Sequence, residues 1–249
     1  MLYGICPLSV VSVRTAPDDS GETITQLLYG DCFKVPEKRS KWSKIRNAYD
    51  AKEGWIPNGQ YKEITAEQYE ALKADESVHS IDLVAHISKG EHQLIPVVLG
   101  SNIKATALLG HEFEGSAIEG SKEKAKLVET ALLYLNAPYQ KGGKTPFGID
   151  SSGFVQMVYK INGFELNRSA EEQSKQGMAL SFIEESEPGD LAFFDTKEGI
   201  IDHVGIILKD NYIIHVNGHV RIDRLDHTGI FNPEEKMYTH QLRVIKKLT

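Results

Sequence analysis

Four side chains in the C-terminal half have the types and spacing that nucleophilic catalysis requires. Ser151 and Ser152 open the segment SSGFVQMVYK, and His203 and His215 lie on two apolar runs, DHVGIIL and NYIIHV. A hydroxyl at the first turn of a helix faces unpaired backbone N–H groups and the positive end of the helix dipole, both of which favour a developing anion. The same position also suits a plain N-cap, for which Asp150 or Ser151 would serve. No glycine stands two residues before either serine, so the G-x-S-x-G elbow of serine hydrolases is absent. The histidines weigh for chemistry. A hairpin centred on Lys209 sets His203 directly opposite His215, with Cβ atoms about 5 Å apart on one side of the ladder. One imidazole then takes a proton while the other orients it.

These side chains need a helix and a sheet to hold them. KEKAKLVETALLYLNA repeats apolar residues at helical spacing up to Pro138. Helices are predicted at Ser152–Ile161, read as amphipathic, and at Ser169–Gly177. Strands follow at GDLAFFD, DHVGIIL, NYIIHV and HVRIDRL. Helices first and antiparallel strands after them give an α+β domain over 121–249. Ahead of it, residues 1–63 alternate short β-rich runs with turn clusters, the pattern of a small all-β barrel. Residues 64–77 read as a connecting helix opened by a capping box of Thr65 and Gln68. Residues 78–120 return to short strands.

Composition removes several classes. A net charge of −7 and no basic run argue against a nucleic-acid partner. No stretch approaches the ~20 apolar residues of a membrane span, and the N-terminus lacks the pattern of a signal peptide. The expected location is cytoplasmic, or secreted or periplasmic if a leader was removed ahead of Met1. Cys6 and Cys32, the two cysteines, lie in apolar strand-like sequence and read as small buried hydrophobes. The two cysteines have no metal-ligand spacing, and neither a metal nor a cofactor is expected. His111, His219 and His227 read as turn residues. Asp190 and Asp195 suit strand ends, and Glu171–Glu172 and Glu184–Glu185 solvated faces.

The blocks PYQKGG, PFGIDSSGFVQMVY, LNRSAEEQSKQG, PGDLAFFD, HVGIIL and IIH together resemble the NlpC-type peptidases, papain-fold enzymes that hydrolyse bacterial cell-wall peptides. The order VR…P…G…W.KI…GWI in residues 1–63 resembles a bacterial SH3-like module, and 78–120 a second, more divergent one. Within the peptidases the combination is similar to the γ-D-glutamyl-L-diamino-acid endopeptidases (dipeptidyl-peptidase VI). The resemblance implies Ser151 in the place of a nucleophilic cysteine, His203 as base and His215 as the orienting residue. It places Tyr139 near the reacting carbonyl, Asp150 and Ser152 around the free amine of an N-terminal L-Ala, and Tyr49 as a wall of that pocket.

The implied reaction is hydrolysis of the γ-D-Glu to diaminopimelate or lysine bond in free murein peptides, in recycling or turnover, by a monomer. Four residues depart from the family pattern: Lys141 for Trp, Asn167 for Pro, Ser169 for an acidic residue and Ser151 for Cys. A hydroxyl is far more basic than a thiol and loses its proton only during attack. The expected state of this chain is therefore an inactive Cys-to-Ser form. Its rival is a catalytically silent binding protein for cell-wall fragments, and a third reading is a secreted hydrolase of the intact wall.

Overall fold

The computed structural model describes residues 1–74, 78–90 and 92–248. They divide into two units, Met1–Ser121 with Lys141–Pro146, and Lys122–Gln140 with Phe147–Thr249. The expected α+β class with an all-β N-terminal barrel is what forms.

In the first unit the β-rich runs become β1 (Leu2–Ile5), β2 (Val10–Arg14), β3 (Thr23–Leu28), β4 (Cys32–Lys38), β5 (Trp42–Asn47), β6 (Glu53–Pro57) and β7 (Lys62–Ile64). They pair antiparallel in the order β3-β2-β6-β5-β4-β1-β7. Val11, Val13, Leu27, Phe33, Val35, Ile45 and Ile56 point inward to one core with Cys6. Burial pushes the Cys6 thiol up to about 12, so it is an uncharged hydrophobe at any physiological pH.

Helix α1 (Ala66–Ala74) starts at the expected capping box. Thr65 Oγ1 accepts from the Gln68 N–H at 3.2 Å, and Gln68 Oε1 accepts from the Thr65 N–H at 2.9 Å. The predicted helix end at 75–77 lies outside the described residues. Beyond it, β8 (Val78–Ser80), β9 (Val84–Lys89), β10 (Gln93–Val98), β11 (Glu112–Glu114) and β12 (Ala117–Glu119) form two small sheets, β10-β9-β11 and β12-β8, with α2 (Ala105–Leu109) between strands. Ala85, Ile87, Val97 and Ala105 share a core with Ile5 and Tyr29 of the barrel. The short strand β13 (Lys144–Thr145) also belongs to this unit.

The second unit contains α3 (Lys124–Leu132), β14 (Gly148–Ile149), α4 (Ser151–Ile161) and α5 (Ala170–Gln173). Its strands are β15 (Met178–Leu180), β16 (Leu191–Asp195), β17 (Ile201–Ile207), β18 (Tyr212–Asn217), β19 (His219–Leu225), β20 (Gly229–Asn232) and β21 (Met237–Lys247). The sheet order is β15-β21-β16-β17-β18-β19-β20, and β21 pairs with β20 as well, so six strands close on themselves around Ala192, Phe194, Ile207, Ile213, Leu225, Ile230 and Ile245. Closure removes the exposed edges an open sheet would leave.

Helix α4 packs on β17 and β18, and α5 on β17. Only Ser152 of α4 escapes full burial. The helix, read from sequence as amphipathic, is therefore a central one, buried on every side beyond its first turn. Its polar residues explain the misreading: Gln156, fully buried, donates to the Leu166 carbonyl, and Tyr159 donates to the Gly189 carbonyl.

The β17–β18 hairpin also differs in register from the expectation. Ile207 pairs with Ile213 and Gly205 with His215. The turn centres on Asp210, not Lys209, because Asp210 and Asn211 both take the left-handed conformation, φ 59° each, which Asp and Asn tolerate and Lys does less readily.

Candidate active site

The tip of α4 is fixed by Asp150, the N-cap. Its Oδ1 accepts from the Gly153 N–H at 2.7 Å, leaving Ser151 as the first helical residue. Arg168 grips the same carboxylate with both arms: Nη1 donates to Oδ1 at 2.9 Å and Nη2 to Oδ2 at 2.7 Å. Arg168 Nη1 also donates to Ser152 Oγ at 2.9 Å. A bidentate pair fixes orientation as well as charge, so Asp150 enters the site as half of a neutral pair. Buried Gln173 completes the support, donating to the carbonyls of Ser152 (2.9 Å) and Asn167 (2.8 Å).

Three departures from the family pattern now have local partners. The Asn167 backbone N–H donates to Gln176 Oε1 at 2.9 Å, a bond proline lacks. Ser169 is the N-cap of α5 in a full capping box with Glu172. Lys141 pairs with Glu22 at 2.9 Å, both in the first unit and both exposed.

The ribbon supplies the imidazoles. Because the true register is two residues off, His203 lies diagonal to His215, and Gly205 stands opposite it. The parity is unchanged, so both rings remain on one side of the sheet. The glycine is what lets them meet. A Cβ at 205 would lie 2.9 Å from His215 Cβ and 2.7 Å from Ile213 Cδ1, so any side chain there would push His215 aside. The rings meet edge to face, with His203 Nε2 2.9 Å from His215 Nδ1.

Behind them a line of polar groups continues. His215 Nε2 is 3.0 Å from Asp223 Oδ2, which also accepts from Arg221 Nε at 2.7 Å. His240, on β21, stacks on His203 with ring centroids 3.9 Å apart.

Burial, first, and the neighbouring His240 and His215 hold His203 well below its ordinary value of 6.5. Burial lowers His215 too, against the opposing pull of Asp223. His240 is brought to about 4, mainly by burial. For Asp223 burial acts upward, but the hydrogen bonds from His215 and Arg221 prevail and lower it. The three rings are neutral at pH 7 and Asp223 is ionised.

Tyr139, Asp150, Ser151, Ser152 and His203 line one cavity of about 430 Å³, together with Asp202, Gly218 and His240. His215 sits behind His203, fully buried. Of the residues singled out in the sequence, Tyr49 lies in the turn between β5 and β6 of the first unit. His111 bonds Tyr29 at 2.9 Å in the first unit. His227 lines a neighbouring cavity of about 760 Å³ that also touches Asp202 and His240. Asp190 braces α3 through Lys124 at 2.6 Å.

Sequence reading missed Arg168, Asp202, Arg221, Asp223 and His240. The alternation of HVRIDRL, which puts Arg221 and Asp223 on one face, was the available signal for two of them. His240 had none, because β21 was not recognised as a strand.

The nitrogens of His203, His215 and His240 lie within 4.8 Å of one another, close enough to ask whether they hold a metal. Those of His203 and His215 point at each other along a hydrogen bond instead of converging on a third point, as ligands must. The arrangement suits proton handling: His203 spends Nε2 on His215, which leaves Nδ1 as its other ring nitrogen, and the residue lines the same cavity as Ser151.

Comparison with known proteins bears on this geometry. Residues 136–241 match the NlpC/P60 family, and residues 13–60 match the bacterial dipeptidyl-peptidase Sh3 domain. The γ-D-glutamyl-L-lysine dipeptidyl-peptidase of Bacillus subtilis is 27% identical over 213 residues, which span 77% of this chain and 71% of that protein. The dipeptidyl-peptidase 6 of Lysinibacillus sphaericus is 24% identical over 255 residues, 87% of this chain and 89% of its own length. A crystal structure of an NlpC/P60 family protein from Bacillus cereus has a TM-score of 0.77 at 19% identity, over 99% of each chain, which shows a shared fold.

Proposed function

Starting from an NlpC/P60 peptidase domain at residues 136–241 and a bacterial dipeptidyl-peptidase Sh3 domain at 13–60, we propose that this chain recognises free murein stem peptides, L-Ala-γ-D-Glu-diamino acid. With cysteine at 151 it cleaves the γ-D-Glu to diamino-acid bond and releases L-Ala-γ-D-Glu. With Ser151 it binds and scarcely turns over. The observation that carries this reading is the hydrogen-bonded His203–His215 pair on the wall of the cavity that Ser151 enters from the tip of α4.

In the cysteine form His203 takes the thiol proton through Nδ1 and later delivers it to the leaving amine, while His215 holds the ring. Backbone N–H groups at the start of α4 face the oxyanion. A serine must lose its proton within the attack itself, which a site arranged for a thiolate–imidazolium pair does not promote.

Asp150 and Ser152 are the proposed seat of the L-Ala ammonium. Arg168 already neutralises Asp150, so the pull is that of an oriented acceptor and not of a lone anion. Asp202 is a second carboxylate on the same wall. A free L-Ala amine marks a peptide already released from the wall, which suits a cytoplasmic recycling role.

The test has two arms. Calorimetry of the chain with L-Ala-γ-D-Glu-L-Lys, its diaminopimelate counterpart and an N-acetylated control should show binding that the acetyl group abolishes. Ser151→Cys should then hydrolyse the unblocked peptides at least about a thousandfold faster. Binding with an inert Ser151→Cys variant favours the second reading, a binding protein for wall fragments, to which Ser151 itself points. Failure of both arms removes either reading.

A further inference from the structure

The side chains behind His203 fix where its proton sits. Arg221 is always protonated, and it donates to both oxygens of buried Asp223, Nε to Oδ2 at 2.7 Å and Nη2 to Oδ1 at 3.1 Å. Arg221 Nη2 is itself held by Asn232 Oδ1 at 3.3 Å and Glu234 Oε2 at 3.2 Å. A carboxylate in that grip only accepts. His215 Nε2, 3.0 Å from Oδ2, must therefore carry a hydrogen and donate it. A neutral His215 protonated at Nε2 has a bare Nδ1. His203 Nε2 faces that bare nitrogen at 2.9 Å and so must be the donor. The lone pair of His203 is left on Nδ1.

We propose that Asp223, clamped by Arg221, is the positioning residue that selects the Nε2–H tautomer of His215 and, through it, of His203. Asp223 does not touch substrate. It acts two rings away by making one of two otherwise equivalent proton arrangements the stable one. In the reverse arrangement His215 donates from Nδ1 and His203 carries its hydrogen on Nδ1, presenting an N–H to the cavity where a base is needed. The same line serves a charged His203, which still donates from Nε2. The catalytic meaning of the relay rests on the peptidase reading above, but the relay itself does not.

The decisive measurement is long-range ¹H–¹⁵N correlation of histidine-labelled protein, unchanged in sequence, at neutral pH. Both His203 and His215 should show the pattern of the Nε2–H tautomer. Asp223→Leu keeps the bulk but removes the acceptor from His215 Nε2, so the two rings should lose their uniform Nε2–H pattern. In the Ser151→Cys background the same change should lower kcat by roughly a hundredfold or more with KM little altered, as a wrong tautomer does.

His203 found as Nδ1–H in the unchanged protein overturns the proposal, as does a folded Asp223→Leu protein whose tautomers stay put. The first measurement needs no variant and decides even where Asp223→Leu does not fold. An inert Ser151→Cys enzyme with the expected tautomers would strike the peptidase reading alone.

Discussion

Each unit of this chain is organised around a seven-stranded antiparallel sheet, and the two treat buried polar groups in opposite ways. In the first, several are settled in small separate groups. Asp31 Oδ2 accepts from the Leu28 N–H at 2.9 Å, Ser43 Oγ donates to Asn58 Oδ1 at 2.7 Å, and Asn47 Nδ2 donates to Asp50 Oδ1 at 2.9 Å. The Asp31 and Asn47 bonds close turns, and Ser43, also 3.0 Å from the Tyr61 hydroxyl, ties β5 to the segment after β6. In the second unit the buried groups connect in series, Arg221 to Asp223 to His215 to His203, and the series ends at a cavity. A fold that needs only to satisfy polar atoms does so at short range. A line of ionisable groups leading to open space has a further task.

The comparison breaks most directly at its two carboxylates. Asp223→Ala leaves the Arg221 guanidinium and the His215 ring without their shared acceptor, and removing one partner of a buried pair costs about 3–5 kcal/mol. Asp31→Ala loses a turn-closing hydrogen bond and should cost about 1–2 kcal/mol. Urea unfolding of both variants measures the difference. Equal losses would mean that the connected line is no different in kind from a turn bond.

Next in size is Gly205→Ala. The added Cβ would press on His215 Cβ and Ile213, and overpacking of this kind costs about 2–3 kcal/mol. Displacement of His215 should also lengthen the His203–His215 bond and lower turnover in the Ser151→Cys background. A variant of full stability and activity would show that the close approach across the ribbon is not what joins the rings.

Acid provides the third contrast. His240 titrates at about 4 in the fold against 6.5 ordinarily, so the unfolded chain takes up the proton first as pH falls. Stability is thus intact above pH 6.5 and is lost progressively toward pH 4, by about 2 kcal/mol at pH 5 from His240 alone. His203 and His215, lowered too, act in the same direction. The titratable groups near His240 are these two rings, Asp223, and Asp202, which lines the same cavity. His240→Gln should flatten the melting-temperature profile of the protein between pH 7 and pH 5. An unaltered slope would remove His240 as a source of acid sensitivity.

What the sequence made legible follows the same division. Strand alternation and helical spacing located β16 to β19 and α4 to within a residue or two, because apolar periodicity reports which face is buried. The parity of His203 and His215 survived a wrong hairpin centre, since a shift of two residues keeps the face. The contacts that needed three dimensions were not legible. Asp223 reaches His215 diagonally across a strand pair, Arg168 returns to Asp150 from beyond α4, and His240 arrives on β21, where Thr, His and Gln dilute the alternation. The full burial of α4 was hidden for a related reason, as the partners of Gln156 and Tyr159, Leu166 and Gly189, lie beyond the end of the helix.

The smallest expected effect is the most discriminating control, because both units use the same device. Thr65 with Gln68 caps α1 in the first unit, and Ser169 with Glu172 caps α5 in the second. Thr65→Ala and Ser169→Ala each remove one capping hydroxyl and should each cost about 1 kcal/mol in denaturant unfolding. Their consequences for chemistry should part. Helix α5 packs on β17 and contains Gln173, whose amide holds the Ser152 and Asn167 carbonyls beside the nucleophile position. Fraying of α5 therefore loosens the tip of α4, and Ser169→Ala in the Ser151→Cys background should lose turnover beyond what its stability loss explains. Thr65→Ala, at equal stability cost, should leave the tautomers of His203 and His215 and the turnover of that background unchanged. Loss of turnover in both, or in neither, would show that the α5 cap does not bear on the nucleophile's setting.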